Sequence, residues 1–416
     1  MNIESIETVA VGGWSKTGMS LAKLLLTLGK KVKVTEERER GCFSPALIDV
    51  FARKGVCFEF GGHSLRFLRD AGLLIVSPGI DLQRSALSAH ARELCIPAVG
   101  EIEFCFWLTR ARCVGITGTN GKSTTTFLTY LVLKEKRKRV FLGGNIGIPF
   151  SSFVRRTRKN DLIVLELSSF QLETILEFHP FVAALLNIEP DHLDRYPGYA
   201  EYKAAKFNIF RNQRPDEWAV VNERFLPEVR QTLRARCVPF SGGENENVDC
   251  VTRIAGLFQI PRETVTAVGA GFHGLPHRLQ TVKKIQGISF INDSKATNPA
   301  STLWALQRVK KKGKRILLIA GGKDKGVSYE CLRDKFSGVK QLFLIGESAP
   351  KIHKAFRDRC PAEICPSLEE AVKEAYRNAQ RGDVVLLSPM CASFDMFRNY
   401  TERGSRFTAA VNKLSS

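Results

Sequence analysis

No stretch of the chain approaches the roughly 18 uninterrupted apolar residues that a membrane-spanning helix needs, so membrane insertion is not expected. The 11 cysteines are scattered and include no C-x-x-C pair. The signature of a zinc site or a disulfide framework is therefore missing, and the cysteines, Cys391 among them, read as buried or idle thiols of a reducing cytoplasm. Acidic residues are scarce beside basic ones, 42 against 62, for a net charge of +20. That excess attracts polyanions. The basic clusters at 134–139, 155–159 and 310–315 are short, however, and carry no interleaved aromatics on which bases would stack. They read as solvated surface that steers phosphorylated small molecules, with no nucleic-acid partner expected. The acidic opening, Met-Asn-Ile-Glu-Ser-Ile-Glu, is not the pattern of a signal peptide, and internal repeats and low-complexity tracts are missing too.

What is present is a long alternation of short apolar runs with helix-like segments. At 416 residues with 44% apolar content, the chain is long enough for two to four domains with sizeable cores. The alternation centres on 111–126, Ala-Arg-Cys-Val-Gly-Ile-Thr-Gly-Thr-Asn-Gly-Lys-Ser-Thr-Thr-Thr. An apolar strand at 114–116 breaks into Gly118-Thr119-Asn120-Gly121, and Lys122-Ser123 opens a helix. Such a turn aims backbone N–H groups and a helix dipole at an anion. Lys122 would reach the terminal phosphates of a nucleotide, and the Ser123 hydroxyl would ligate Mg²⁺. The strict G-x-x-x-x-G-K-[ST] spacing is not met, because the first glycine falls at Gly115 instead of position 116. An ordinary strand–turn–helix is the alternative reading.

Upstream, a strand at 8–11 runs into Gly12-Gly13-Trp14-Ser15-Lys16-Thr17-Gly18 and a helix over 19–28. This is a Rossmann-like beginning in which Ser15 replaces the middle glycine. The replacement argues against a close-packed NAD pyrophosphate and leaves room for another diphosphate on the 15–18 amides. Glu36, after a strand at 31–35, can accept a hydrogen bond from a sugar or base, or be only a solvated strand end. A strand at 73–76 ends in Ser77-Pro78-Gly79.

Downstream, strands at 140–142, 162–165 and 182–186 lead into Gly143-Gly144-Asn145, Glu166-Leu167-Ser168 and Asn187 through Arg195. Glu166 is a metal-ligand candidate, with a helix-starting acid as the plainer reading. His192, Asp191 and Asp194 are candidates of the same kind, with turns and caps as the plainer reading. A helix over 202–210 carries Lys203 and Lys206, by themselves surface charges. Strands at 288–291, 316–319, 342–345 and 384–387 complete a last α/β unit. The expected division is 1–108, 109–275 and 276–416. The fold class is α/β, with a Rossmann-like first domain, a central P-loop-type domain on a mostly parallel sheet, and a Rossmann-like third domain.

Over essentially its whole length the chain resembles the Mur ligases, and within them the branch that adds D-glutamate. The resemblance is carried by 117–124, Gly143-Gly144-Asn145-Ile146-Gly147, 166–173, Asp191-His192-Leu193-Asp194-Arg195-Tyr196 and 274–278. The most branch-specific stretches are Asn292-Asp293-Ser294-Lys295-Ala296-Thr297-Asn298 and 387–404. The resemblance implies ATP-dependent joining of D-glutamate to UDP-N-acetylmuramoyl-L-alanine through an acyl phosphate, with two Mg²⁺ ions, in a cytoplasmic monomer; three domains on short linkers with substrates between them suggest hinge closure.

The resemblance also implies roles. Gly118, Thr119, Asn120, Gly121, Lys122, Ser123 and Thr124 hold ATP, joined by Asn247, Arg278 and Asp293. Ser123 and Glu166 serve one Mg²⁺; His192 and Lys206 serve the second, Lys206 as a carbamate. Ser15, Lys16, Thr17, Glu36 and Ser77 take the UDP end of the sugar nucleotide, and Asn145, Ser168 and His192 its muramoyl-alanine end. Thr297, Lys325, Ser393 and Tyr400 take D-glutamate, while His277 and Lys295 line the junction. Two departures stand out. The family's Asn-x-x-Asn adenine pair becomes Asn247-Val248-Asp249-Cys250, and Glu36 stands where an aspartate is usual. Rival readings are a sister ligase for another amino acid, a nucleic-acid-linked ATPase, and an NAD enzyme.

Overall fold

The computed structural model describes residues 3–193, 195–241, 245–272, 274–309, 315–326, 328–336 and 338–414. Asp194, most of the 310–315 cluster and part of the irregular 241–246 stretch lie outside them. Three sheets carry the fold. The first joins β1 (Thr8–Gly12), β2 (Lys31–Glu36), β3 (Cys57–Phe60), β4 (Leu73–Val76) and β5 (Ala98–Gly100) in the order β3-β2-β1-β4-β5, all parallel.

The second contains β6 (Arg112–Thr117), β7 (Val140–Gly144), β8 (Leu162–Glu166), β9 (Val182–Leu185), β10 (Trp218–Asn222) and β11 (Arg236–Phe240). Its order is β11-β10-β9-β6-β8-β7, again all parallel. The third is built of β12 (Gln280–Ile285), β13 (Ile288–Asn292), β14 (Ile316–Gly321), β15 (Val339–Ile345), β16 (Ala362–Ile364) and β17 (Val384–Leu387). Its order is β12-β13-β17-β14-β15-β16, with only the β12–β13 pair antiparallel.

The chain packs into two compact units. One holds Met1–Ile188 with Lys203–Gly271, and so the first two sheets; the other holds Glu189–Tyr202 with Phe272–Ser416. Parallel strands covered by helices on both faces must be apolar throughout. The central strands obey: β4, β8, β9, β14 and β17 are buried at every position. Ile, Leu and Val dominate them, each contributing roughly 1.5–3 kcal/mol when fully buried.

Two strand orders reverse where the sequence motifs lie. In the first sheet β1 sits between β2 and β4, and in the second β6 sits between β8 and β9. A reversal opens a crevice beyond the carboxyl ends of such strands, the usual ligand position in open α/β sheets. Gly13–Gly18 leaves the end of β1, and Gly118–Gly121 leaves the end of β6. The expected helix over 202–210 proves to be an α-helix, Tyr199–Phe207, followed by a 3-10 turn, Asn208–Phe210. The short edge strands β3, β5, β11, β12 and β16 escape a reading by apolar runs, because edge strands are only partly buried.

The first two sheets meet through the helix Glu101–Trp107, whose two opening carboxylates are buried. Glu101 accepts the Ser151 N–H at 2.9 Å and its hydroxyl at 2.6 Å. Glu103 accepts the N–H groups of Leu176, Glu177 and Phe178 at 2.7, 2.9 and 3.0 Å. A carboxylate with three backbone donors repays its burial; removing it strands those donors. Glu103→Ala should therefore lower the stability of this unit by about 3 kcal/mol. A clear fall of the thermal midpoint is expected, and an unchanged midpoint would refute the assignment.

Candidate active site

The loop after β6 is held from behind by Asn187, just past the end of β9. The Asn187 carbonyl accepts the Thr119 N–H at 2.7 Å. Its side-chain oxygen accepts the Asn120 N–H at 2.8 Å, and its amide donates back to the Asn120 carbonyl at 3.2 Å. The same amide donates to Glu246 at 2.9 Å, and Glu246 also accepts from Asn222 at 2.8 Å. Asn187 and Asn222 are buried, so the network works at low dielectric, where each bond counts for more. Asn187, Asn222 and Glu246 escaped the sequence reading. A polar residue directly after an all-buried strand is the signal that could have found Asn187.

Gly121 takes the left-handed conformation, φ +80°, that ends the loop and caps the helix Lys122–Lys136. A side chain there would also strike Asn247, whose oxygen would lie 2.3 Å from an added Cβ. Asn247 packs against the loop and accepts the Thr125 hydroxyl at 3.2 Å. Cys250, one helical turn on, is fully buried, and burial pushes its thiol well above the ordinary range.

Two ammonium groups converge on one carbonyl. Lys122 Nζ donates to the Gly118 and Thr119 carbonyls at 2.8 Å each, and Lys206 Nζ donates to the Gly118 carbonyl at 2.8 Å. Read alone as a surface lysine, Lys206 is instead 1% exposed. Glu166 ends β8, in register with Ile116 of β6, and is 1% exposed. It accepts the Asn145 amide at 2.8 Å. Ser123 is buried in the first turn of its helix and Thr124 is half-buried.

Among the described residues no cluster of three His, Cys, Asp or Glu side chains is suited to hold a metal ion. Mg²⁺ is commonly held by one or two carboxylates together with phosphates and water. The buried Ser123 hydroxyl and Glu166 carboxylate are hard oxygen donors of that kind.

In the first sheet, Ser15 and Ser77 hydroxyls meet at 3.2 Å across the β1/β4 crevice. Ser15 also caps the helix Lys16–Thr27 by accepting the Gly18 N–H. Lys16 donates to the Gly147 carbonyl, tying this loop to the one that bears Asn145. Thr17 is half-buried in the first helical turn. Glu36 is not a solvated strand end: it is 6% exposed and accepts the Trp14 N–H at 2.7 Å and the Arg38 guanidinium at 2.9 Å. Burial pushes its carboxyl up, but Arg38 and the two backbone N–H groups outweigh burial and hold it below the usual range. Ser168 spends its hydroxyl on a capping box with Gln171.

The other unit gathers the remaining residues at the carboxyl edge of the third sheet. Asp191 is buried and accepts Lys325 Nζ at 3.0 Å, the Asn298 amide at 3.0 Å and the His192 N–H at 2.9 Å. Burial would raise its carboxyl, yet the charges of Lys325 and His192 and the bonds from Asn298 and Lys325 bring it down to about 2. His192 has a left-handed backbone, φ +55°. Asp293 accepts the Ser388 hydroxyl at 3.0 Å and the Leu279 N–H at 3.2 Å, and Arg278 lies near.

Arg403 is fully buried and donates to the carbonyls of Ser294, Cys391 and Ala392 at 2.9, 3.1 and 3.2 Å. It pins together the loops after β13 and β17. Lys295 lies 4.2 Å from the centre of the Tyr400 ring, and Thr297 is half-buried beside Asn298. The Ser393 hydroxyl is buried and has no hydrogen-bond partner among the described residues. Arg403 received no role in the sequence reading, and Asp191 was read there as a metal-ligand candidate, not as the partner of Lys325 and Asn298.

Known proteins resemble this chain over nearly its whole length. The chain is 37% identical to the UDP-N-acetylmuramoylalanine--D-glutamate ligase of Thermoanaerobacter sp. strain X514, over 98% of each chain. It is 39% identical to the enzyme of the same name from Anaeromyxobacter dehalogenans, over 96% of each. Two Thermotoga maritima crystal structures share the fold: the UDP-N-acetylmuramate-alanine ligase MurC (TM-score 0.61, 18% identity, 98% and 99% covered) and MurF with ADP (0.62, 15%, 99% of each). Residues 7–100 match the MurD-like N-terminal domain, 116–255 the Mur ligase middle domain, and 277–391 the glutamate ligase domain, so the chain belongs to the Mur ligase family.

Proposed function

We infer that the protein is an ATP-dependent ligase that joins D-glutamate to UDP-N-acetylmuramoyl-L-alanine in peptidoglycan precursor synthesis. The observation that carries this reading is the phosphate loop at the β6 reversal, with Glu166 ending the neighbouring strand and Lys122 and Lys206 on one loop carbonyl. The choice of D-glutamate rests on the relatives named for that reaction.

A carboxylate oxygen of the alanyl end attacks the γ-phosphorus of ATP, the P–O bond to ADP breaks, and an acyl phosphate forms. The amine of D-glutamate then attacks the acyl carbon, loses a proton, and expels inorganic phosphate. Two anions must approach for the first step, so the chain has to supply positive charge and alignment. Lys122 and the N-terminal amides of its helix take the phosphates. Ser123 and Glu166 would hold Mg²⁺, which neutralises phosphate charge when bound, and His192 with a modified Lys206 a second ion.

The Lys206 ammonium can donate but cannot ligate a cation. Addition of CO₂ to the neutral amine, with loss of one proton, gives a carbamate whose remaining N–H can keep the bond to Gly118. Ser15, Lys16, Thr17 and Ser77 form the diphosphate end of the sugar-nucleotide site. Glu36 acts there by fixing the Gly13–Ser15 turn through Trp14. Asn247 holds the loop from outside. Lys325, Thr297, Ser393 and Tyr400 take the amino acid, with the buried Ser393 hydroxyl available to a carboxylate. Asp293 and Arg278 serve ATP. The ligand-binding parts divide as 1–108, 109–275 and 276–416.

Phosphate release from ATP and UDP-N-acetylmuramoyl-L-alanine should require D-glutamate and label the sugar nucleotide with it. Dependence on L-alanine or a diamino acid instead would assign a sister activity. Lys206→Ala should cost roughly 100-fold or more in kcat, partly restored by acetate or formate; full activity in the variant would remove the carbamate. Asn187→Ala should raise the KM for ATP by roughly 30-fold, the equivalent of about 2 kcal/mol of lost loop support, with the sugar-nucleotide KM little changed.

Asp293 gives a pH signature. Burial raises its carboxyl to about 7, against the pull of Ser388, Leu279 and Arg278. The folded state therefore holds its proton where the unfolded chain, near pH 4, has lost it. This contribution to stability is complete below that lower value and is lost as pH rises through about 7. In Asp293→Asn the thermal midpoint should decline less between pH 5 and 8 than in the parent; identical slopes would contradict the burial argument.

A further inference from the structure

Asp191 comes from the segment 189–202, yet it packs with the third sheet. Its two carboxylate oxygens reach two different loops of that sheet. One oxygen accepts Lys325 Nζ at 3.0 Å, on the loop after β14, and also the His192 N–H at 2.9 Å. The other accepts the Asn298 amide at 3.0 Å, at the end of the loop after β13. Asn298 is itself fixed at its far end, where its oxygen accepts the Ser301 N–H and hydroxyl at 2.8 Å each, in the first turn of the helix Pro299–Val309. Thr297 precedes it directly. One buried carboxylate thus joins Lys325, the backbone of His192 and the segment bearing Thr297.

We propose that Asp191 is the positioning residue of the amino-acid site, setting Lys325 and the 293–298 loop in the arrangement that receives the carboxylates of D-glutamate. An ammonium has three donors, so the Asp191 bond leaves Lys325 able to bind a substrate carboxylate while fixing its direction. Two further facts support the assignment. The Lys325 and Asp191 side chains are only 11% and 7% exposed, so water competes little for the ion pair. All three groups that meet the Asp191 carboxylate are donors, so an amide cannot replace it: an asparagine side chain would turn its own NH₂ toward either Asn298 or Lys325 and release one of the loops. The inference rests on the reading of this chain as a D-glutamate ligase, and its test separates the two.

The test compares the parent with Asp191→Asn, Lys325→Gln and the double variant, varying each of the three substrates in turn. The KM for D-glutamate should rise about ten-fold or more in Asp191→Asn, as for the loss of one charge-assisted hydrogen bond, with the KM values for ATP and the sugar nucleotide changing by less than about three-fold. In the Lys325→Gln background the same substitution should add little, because the two residues act as one. Asn298→Ala, which leaves the Asp191–Lys325 pair in place, should give a smaller rise of the same kind and covers the case in which Asp191→Asn does not fold. Equal changes in all three KM values, or effects of Asp191 and Lys325 that multiply, would overturn the proposal. Amide exchange of the parent and Asp191→Asn without substrates supplies the independent arm. Faster exchange over 293–298 and 322–326 is expected in the variant whatever amino acid the enzyme uses, and parental protection there also overturns the proposal. A parent that ignores D-glutamate, with faster exchange in the variant, would sink the functional reading and leave the positioning role standing.

Discussion

Two lysines that donate to the same Gly118 carbonyl set the character of this protein. Like charges brought to one oxygen repel, and the repulsion is steep because Lys206 has left water. The arrangement calls for negative charge between and around them. A triphosphate supplies it, and so does conversion of one amine to a carbamate. The glycine turn, the Asn187 clamp and the Glu166 carboxylate at the end of β8 are the framework that keeps this concentration of charge in place.

The same economy of charge recurs elsewhere in the chain. Glu101 and Glu103 are buried at the junction of two sheets, each occupied by backbone or hydroxyl donors. Arg403 is buried and donates to carbonyls and to the Ser294 hydroxyl; burial lowers its guanidinium to about 10, against the pull of Cys391 and Asp395. Such groups cost free energy to desolvate and return it only when every donor and acceptor is met. What they gain is geometry: each fixes loops that propensity alone would leave free.

Much of the fold was legible because central parallel strands are apolar at every position, and the strands around β4, β8, β9, β14 and β17 stood out as short hydrophobic runs. Edge strands such as β3 and β16 did not, since half-covered residues follow no such rule. The phosphate loop could be read from Gly118 to Ser123, as its chemistry is local. The burial of Lys206 could not, because a helix with one lysine per turn looks the same whether a sheet covers it or water does. Nor could the work of Glu36, a residue at a strand end whose partner, the Trp14 N–H, lies 22 positions away. The work of Asp191, read as a metal-ligand candidate, was hidden for the same reason: its partners Asn298 and Lys325 are separated from it by 107 and 134 positions.

The distribution of thiols has a practical consequence. Cys42, Cys57 and Cys95 are exposed and all belong to the first sheet and its connections, whereas Cys360, Cys365 and Cys391 of the third-sheet region are buried. Among the described cysteines, a maleimide dye would therefore mark those of the first-sheet region preferentially, giving an optical handle on that region without any engineered cysteine.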